Sequence, residues 1–175
     1  MAAETPRGLV IVYPGDGKGK TTAALGLAMR AIGHGVRVAV VQFIKEVVCG
    51  EHQVAGRLAP DLEIFRMGKG FVPGAPTAEH LAAAREALEF VRQALRGGRY
   101  GVVVADEVLT AVGLHLLTEA EVESLLADRP PPVHLVLTGR GAWPGLIDRA
   151  DLVTEMRAVK HPFDKGVTAQ PGVDF

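Results

Sequence analysis

Short apolar segments alternate with longer segments of helical period along this 175-residue chain. Strands that are covered by helices on both faces have this continuous Val, Ile and Leu character. The alternation therefore predicts an α/β fold with a mostly parallel central sheet flanked by helices. The predicted strands are Gly8 to Tyr13, Val36 to Phe43, Leu62 to Met67, Tyr100 to Ala105, Val133 to Leu137 and Leu152 to Met156.

Two segments favour long helices. Lys20 to Ile32 is rich in Ala and Leu, which are strong helix formers. Thr77 to Arg96 carries apolar residues at three- and four-residue spacings, as a helix packed on a sheet does. Trp143 to Arg149 predicts a short helix or turn. Thr118 is followed three residues later by Glu121, which is a capping box, so we assign Glu121 to helix capping.

The length and the absence of a linker predict a single domain over residues 1–175. Residues 157–175 contain two prolines and two glycines and show no period, which predicts an irregular C-terminal segment. Nineteen Lys and Arg oppose twenty Asp and Glu, and a net charge of -1 gives no overall attraction to nucleic acid or to an anionic membrane.

Compartment and solubility follow from what the sequence lacks. No run approaches the roughly 18 apolar residues of a membrane span, so we expect a soluble protein. The single cysteine, Cys49, cannot form an intramolecular disulfide, and the N-terminal residues do not resemble a secretory signal. These features predict a cytoplasmic protein.

The most specific motif is PGDGKGKTT, which lies between a predicted strand and a predicted helix. Its glycines let backbone N–H groups face phosphate oxygens, Lys20 can neutralise them, and Thr21 can hold Mg2+. We predict a polyphosphate-binding loop formed by Gly15, Asp16, Gly17, Lys18, Gly19, Lys20, Thr21 and Thr22, which the family resemblance described below makes an ATP-binding loop. Pro14 stands where the usual motif begins with glycine, so we expect a loop shaped differently from that of common nucleotide hydrolases.

Asp106 and Glu107 follow a buried apolar strand, where P-loop enzymes place the carboxylate that holds Mg2+ directly or through water. Either residue can instead cap a loop or a helix. Arg140 also follows a predicted strand, where it can meet a phosphate or form a salt bridge. The six histidines lack the spacing of metal ligands, so we predict no zinc site.

Together these motifs resemble the ATP:corrinoid adenosyltransferase family, in its RecA-like P-loop type. The resemblance runs nearly end to end through GDGKGKTTAALGLAMRAIGHG, VVQFIK, VVVADE, LTGRG and VKHPFDKGVTAQPGVDF. It implies that the cobalt(I) of a corrinoid attacks the 5′ carbon of ATP and expels inorganic triphosphate, as a step in vitamin B12 biosynthesis or salvage. It also implies a homodimer, with an electron-donating flavoprotein as a partner.

The resemblance further implies roles for individual residues. Lys20 offsets the charge of the triphosphate, Thr21 and Glu107 ligate Mg2+, and Asp106 supports them. Phe71 falls where members carry an aromatic residue that helps to remove the lower ligand of cobalt, although it can instead pack in the core.

The C-terminal motif of the family is present in this chain, whereas two other features of the family differ. Lys160 and His161 belong to the C-terminal motif, which the resemblance folds back towards the nucleotide and the corrinoid. The family often has Trp two places after the aromatic residue, where this chain has Pro73. Some members have an N-terminal helix over the partner's site, and the short lead before the first strand predicts none here.

Two other functions use the same motifs. A small-molecule kinase or ATPase would use the same loop and carboxylate for phosphoryl transfer and would produce ADP. A non-catalytic module that binds a corrinoid under nucleotide control would bind ATP without turnover. The phosphate product separates these functions from adenosyl transfer.

Overall fold

One parallel sheet organises residues 7–175, which are the residues that this computed structural model describes. Its six strands lie in the order β3-β2-β4-β5-β1-β6, and every pairing is parallel. The α/β class and the parallel sheet predicted from the sequence are confirmed. The strands are β1 (Val10–Pro14), β2 (Val38–Gln42), β3 (Leu62–Arg66), β4 (Val102–Asp106), β5 (His134–Gly139) and β6 (Leu152–Val153).

Helices cover both faces of the sheet. Alternate strand residues face opposite sides, so Ile11 packs with Ala24 and Ala28 on one face, whereas Val12 joins Leu88 on the other. The first two helices of the chain contribute buried residues to the face of Ile11, and the other four contribute buried residues to the face of Val12. The helices are α1 (Lys20–Gly33), α2 (Gly50–Leu58), α3 (Ala78–Arg96), α4 (Val108–Gly113), α5 (Glu119–Asp128) and α6 (Pro144–Arg149), and a 3-10 turn spans Pro162–Lys165.

The order of the strands assembles the site. β5 lies between β1 and β4, and β2 lies on the other side of β4. The loop after β1 and the acidic pair after β4 therefore emerge at the same edge of the sheet, on either side of the end of β5. Open α/β sheets bind their ligands at this edge, outside the carboxyl ends of the strands.

Several predicted boundaries differ from the structure. β4 begins two residues later than predicted and includes Asp106. β6 has only two residues, although Thr154 and Met156 still donate backbone hydrogen bonds to β1, at 3.0 and 2.8 Å. α2 and α4 were not predicted, because α2 buries only Ala55 and α4 continues an apolar strand with no intervening turn signal.

The capping role of Glu121 is confirmed. Its carboxylate accepts hydrogen bonds from the Thr118 backbone N–H and hydroxyl, both at 2.7 Å, and the Thr118 hydroxyl accepts one from the Glu121 N–H. We also predict no helix before the first strand. Residues 1–6 of that segment lie outside the described residues. Within residues 7–175, no helix has both the length and the apolar character that crossing a bilayer requires.

Candidate active site

The loop that is predicted to bind phosphate connects β1 to α1, and contacts with the chain after β6 fix its backbone. Gly15 has φ of 117°, and a Cβ atom there would lie 2.3 Å from the Met156 carbonyl oxygen, so only glycine fits. The Gly17 N–H donates to the same oxygen at 2.7 Å. Pro14, the residue that departs from the common motif, is the last residue of β1 and pairs with Gly139 of β5. The loop is therefore held between β5 and the chain that follows β6.

Lys20 lies inside this loop. Its side chain is 8% exposed, and Nζ donates to the Gly17 carbonyl at 2.9 Å. α1 begins at Lys20 after Gly19, and no side chain caps its first N–H groups. Free N–H groups and the positive end of a 14-residue helix therefore point towards the same place as a buried ammonium group. This is the arrangement of a polyanion site.

Asp106 is a buried carboxylate with three hydrogen-bond donors. It is 2% exposed, and Oδ1 accepts from the hydroxyls of Thr21 at 2.9 Å and Thr138 at 2.7 Å. Oδ2 accepts from Gln42 Nε2 at 3.3 Å. Burial raises the pKa of Asp106, although the bond from Thr138 opposes the shift. None of the ion pairs in the described chain includes Asp106, so its charge lacks a cation.

Glu107 turns the chain from β4 into α4. It has φ of 62°, a left-handed conformation that is uncommon for a non-glycine residue and that is often found at functional sites. The Glu107 N–H donates to the Thr138 hydroxyl at 2.8 Å, and its carboxylate accepts from the Thr110 hydroxyl. The Arg140 backbone N–H donates to that hydroxyl at 2.9 Å. Hydrogen bonds thus tie the ends of β4 and β5 together and fix the direction of Glu107.

Two adjacent cavities open at this edge. The phosphate cavity has a volume of about 390 Å³ and is lined by the end of the loop, the start of α1, Lys45, Glu51, Glu107 and Gly172–Phe175. The apolar cavity has a volume of about 560 Å³, and Ile44, Val47, Cys49 and Phe71 contribute to its wall. The residues that line both cavities are Thr21, Lys45, Glu107, Asp174 and Phe175.

The fold and this site agree with a family match that spans almost the whole chain. The family described as ATP:corrinoid adenosyltransferase BtuR/CobO/CobP matches residues 6–175. The chain belongs to this family.

Individual relatives support the assignment. The chain is 42% identical to the corrinoid adenosyltransferase of Pseudomonas aeruginosa, over 99% of this chain and 86% of that protein. It is 39% identical to the corrinoid adenosyltransferase of Escherichia coli K12, over 99% of this chain and 88% of that protein. It is 41% identical to the corrinoid adenosyltransferase CobA of Salmonella typhimurium, with the same two shares.

In this member of the adenosyltransferase family, the predicted site residues fall into two groups. Those of the loop and the acidic pair come together, and Lys18, Gly19, Lys20, Thr21, Thr22 and Glu107 all line the phosphate cavity. Phe71 is 81% exposed at the apolar cavity, so the alternative that it packs in the core is wrong.

Six other predicted residues line neither cavity, namely Gly15, Asp16 and Gly17 at the start of the loop and Arg140, Lys160 and His161. The side chains of Arg140 and Lys160 are exposed and line neither cavity. His161 lines a smaller pocket beside Lys18 and Asp174. Arg140 contributes to the site through its backbone, because its N–H donates to the Thr110 hydroxyl that holds Glu107.

Sequence reasoning missed several residues that hold the site together. Thr138 bridges the acidic pair, and Gln42 reaches Asp106 from the neighbouring strand. Both are polar residues at the carboxyl end of an apolar strand, which is a signal that could have identified them. Lys45 and Glu51 pair at 2.6 Å. Lys45 ends the VVQFIK motif, to which the sequence alone assigned no role, and Glu51 lies in a short helix that was not predicted.

The start of α2 brings together Cys49, Glu51 and His52, whose potential metal-ligand atoms lie within 4.8 Å of one another. Histidine spacing alone could not reveal this group. However, His52 Nδ1 accepts the Cys49 N–H at 2.8 Å, and Nε2 bonds to Gln42 Oε1 at 2.7 Å. Both ring nitrogens are thus used to cap α2 and to orient Gln42.

The end of the chain packs over the loop. Lys18 Nζ donates to Asp174 Oδ1 at 2.6 Å, and the Gln170 N–H donates to the other carboxylate oxygen at 2.8 Å. Asp174 and Phe175, the last two residues of this segment, line both cavities. Residues far apart in sequence therefore enclose the phosphate cavity.

Proposed function

We propose that this protein transfers the 5′-deoxyadenosyl group of ATP to the cobalt(I) of a corrinoid and releases inorganic triphosphate. The family to which the chain belongs supplies the reaction class. The observation that carries the finer proposal is the pair of cavities that share lining residues. Lys20 and the start of α1 at the first cavity suit a polyphosphate, and the exposed apolar side chains at the second suit a broad ring system. The atoms that react must meet at the boundary between the two cavities.

The reaction needs no nucleophile from the protein. Cobalt(I) donates an electron pair to the 5′ carbon, a cobalt–carbon bond forms, and the carbon–oxygen bond breaks with its electron pair going to the triphosphate. No proton has to move. The protein therefore has to orient the two substrates and stabilise the charge of the leaving group.

The loop from Gly15 to Thr22 is proposed to hold the triphosphate. Its free N–H groups and the start of α1 favour an anion, and Lys20 supplies a buried positive charge. The hydrogen bond from Lys20 to Gly17 keeps the ammonium group inside the loop before ATP arrives.

Thr21, Asp106 and Glu107 are proposed to hold Mg2+. They present the hydroxyl and carboxylate oxygens that this ion prefers, and Asp106 is a buried carboxylate without a cation among the described residues. When bound, the ion would neutralise charge on the phosphate oxygens. Thr138 keeps the acidic pair in place for this role through its bonds to both residues.

The corrinoid is proposed to lie against the apolar cavity. Phe71 and Val47 are 81% and 72% exposed there, and such exposed apolar side chains mark a binding surface. Phe71 is proposed to help displace the lower ligand of cobalt, with Pro73 in place of a second aromatic residue. Lys160 and His161 are proposed to contact the corrinoid from the C-terminal segment.

The remaining family features are also proposals for this chain. Residues 157–175 are proposed to fold back towards the site, which the bond between Lys18 and Asp174 supports. Arg140 is proposed to reach ATP when the site is filled. A homodimer, an electron-donating flavoprotein partner and a cytoplasmic location complete the proposal, and light scattering of the purified protein tests the dimer.

The decisive experiment identifies the products. The protein is incubated in the dark with Mg-ATP and a corrinoid that has been chemically reduced to cobalt(I). We expect a photolabile alkylcobalt product and an equal amount of triphosphate. ADP as the sole phosphate product would favour a kinase or ATPase, and ATP binding with no product would favour a non-catalytic module.

A further inference from the structure

Lys45 is the last residue of the VVQFIK motif, and it has no role in the reaction as proposed so far. It lies three residues after the end of β2, and its Nζ donates to Glu51 at 2.6 Å. Of the described residues that line both cavities, which also include Thr21, Glu107, Asp174 and Phe175, it is the only cation. Lys20 lines the phosphate cavity alone.

The proposed reaction, on which this inference rests, creates negative charge at the boundary between the cavities. The 5′ oxygen of ATP is bonded to the carbon that cobalt attacks, so it is the triphosphate atom nearest to the corrinoid. When the carbon–oxygen bond breaks, this ester oxygen becomes a charged phosphate oxygen. A cation that stabilises it must reach the phosphate cavity and the apolar cavity at once.

We propose that Lys45 is a catalytic residue that donates a hydrogen bond to the 5′ oxygen as that oxygen leaves. The electron pair of the broken bond stays on this oxygen, and the ammonium group offsets the new charge without giving up its proton. Such a contact strengthens as the charge develops, so it lowers the barrier more than it tightens ATP binding.

Hydrogen bonds already hold Lys45 in place for this role. Glu51 accepts from Lys45 and from Gln42 Nε2, the latter at 3.5 Å, and Gln42 also contacts Asp106 at the end of the sheet. His52 Nε2 bonds to the Gln42 carbonyl oxygen at 2.7 Å and so fixes which way the amide faces. The position of the ammonium group is therefore set from β2 and α2 together.

The environment also keeps Lys45 charged. Burial alone would lower the pKa of Lys45, but the hydrogen bond and charge of Glu51 outweigh it and raise the pKa above its usual value. The cation thus persists in any neutral assay.

The test compares Lys45→Met and Lys45→Gln with the unmodified protein, using Mg-ATP and a corrinoid reduced to cobalt(I). Lys45→Met removes the charge and keeps most of the side-chain volume. Lys45→Gln also removes the charge but keeps an N–H donor for Glu51, so it decides the question if the Met variant does not fold. Arg57→Met, at an exposed cation of α2 that lines neither cavity, is the control.

We expect kcat to fall by about 100-fold or more in both Lys45 variants, as when one donor to a developing oxyanion is removed. The Kd of Mg-ATP should change by less than about 3-fold, whereas inorganic triphosphate should bind about 10-fold more weakly, because only the product carries the full charge. Arg57→Met should match the unmodified protein in all three measurements.

The role of Lys45 would be overturned by an undiminished kcat in either variant, or by equal losses in the binding of ATP and triphosphate. Lys45 would then serve only as the ion-pair partner of Glu51. The absence of any alkylcobalt product from the unmodified protein is a separate failure, since it would overturn the proposed reaction and this inference with it.

Discussion

The two cavities at the edge of the sheet are built in different ways. The phosphate cavity is lined by the loop after β1, the start of α1 and Glu107 after β4, and Lys20 is only 8% exposed there. Asp106 and Thr138 bond to Thr21 and to the Glu107 N–H from below, and they are at most 2% exposed. The apolar cavity is bounded largely by segments outside the sheet, and its Val47 and Phe71 side chains are at least 72% exposed. One side is buried and tied together by hydrogen bonds, and the other is open.

The difference follows from what each side has to bind. Charged groups that stabilise a reacting phosphate must be held within about half an ångström, which requires several bonds to each side chain. A large apolar ring system is held by contact area, which exposed side chains provide. We therefore expect changes on the phosphate side to reduce turnover, and changes on the apolar side to alter the affinity for the corrinoid.

The largest effect should come from Lys20→Ala. This change removes the buried ammonium group of the loop, and we expect kcat to fall by about 1,000-fold or more with every corrinoid. Lys18→Ala should cost far less, because Lys18 is exposed and its ion pair with Asp174 lies at the surface. The rate of alkylcobalt formation at saturating corrinoid measures both. Similar losses in the two variants would contradict the different roles assigned to the two lysines.

The second effect concerns the hydroxyl that joins the acidic pair. Thr138→Val keeps the shape of the side chain, but it deprives Asp106 of a donor and the Glu107 N–H of its acceptor. We expect the free energy of unfolding to fall by about 1–3 kcal/mol, together with a loss of kcat. Thr138→Ser restores the hydroxyl and should recover both. Denaturant unfolding and the product assay would show whether stability and turnover change together.

On the apolar side, Phe71→Ala should affect affinity rather than turnover or stability when the corrinoid is supplied already reduced to cobalt(I), because displacement of the lower ligand then precedes the assay. The loss of an aromatic contact should raise the KM for the corrinoid by about 10-fold or more and leave the KM for ATP unchanged. Because the side chain is 81% exposed, the free energy of unfolding should change by less than about 0.5 kcal/mol. Ile147→Ala, at an exposed position of α6, should leave both KM values unchanged. A loss of stability in Phe71→Ala would mean that Phe71 stabilises the segment between β3 and α3 instead of binding the corrinoid.

The same contrast explains how much the sequence could predict. The loop, its helix and the position of the acidic pair were predictable, because each follows from a local pattern of glycines, charges and apolar residues. The capping box of Thr118 and Glu121 was predictable for the same reason. These features depend on spacing of a few residues, which a single sequence displays directly.

Contacts between distant segments could not be predicted in this way. Lys45 acquires its place only because β2 lies beside β4 and α2 supplies Glu51. The fit of Gly15 against Met156 likewise depends on the chain after β6. The family resemblance predicted that the two substrates meet, but the residues at their boundary became visible only from the packing.

The smallest effect should come from a change outside both cavities. Glu121→Ala removes the carboxylate that caps α5 and should lower the free energy of unfolding by about 1 kcal/mol. Because Glu121 lines neither cavity, kcat and both KM values should stay unchanged. A change in turnover would show that α5 communicates with the site and would weaken the distinction between the two sides.

The contribution of Glu121 should also depend on pH in a known direction. Hydrogen bonds from the backbone N–H and hydroxyl of Thr118 hold the pKa of Glu121 below its ordinary value of 4.5. A carboxyl group whose pKa is lower in the folded protein stabilises it above the unfolded value, and that contribution disappears as the pH falls through the folded value. Thermal unfolding of the protein and of Glu121→Ala should therefore differ at pH 7 and converge as the pH falls below 4.5. A difference that stays constant over this range would mean that the neutral carboxyl group caps the helix as well as the charged one.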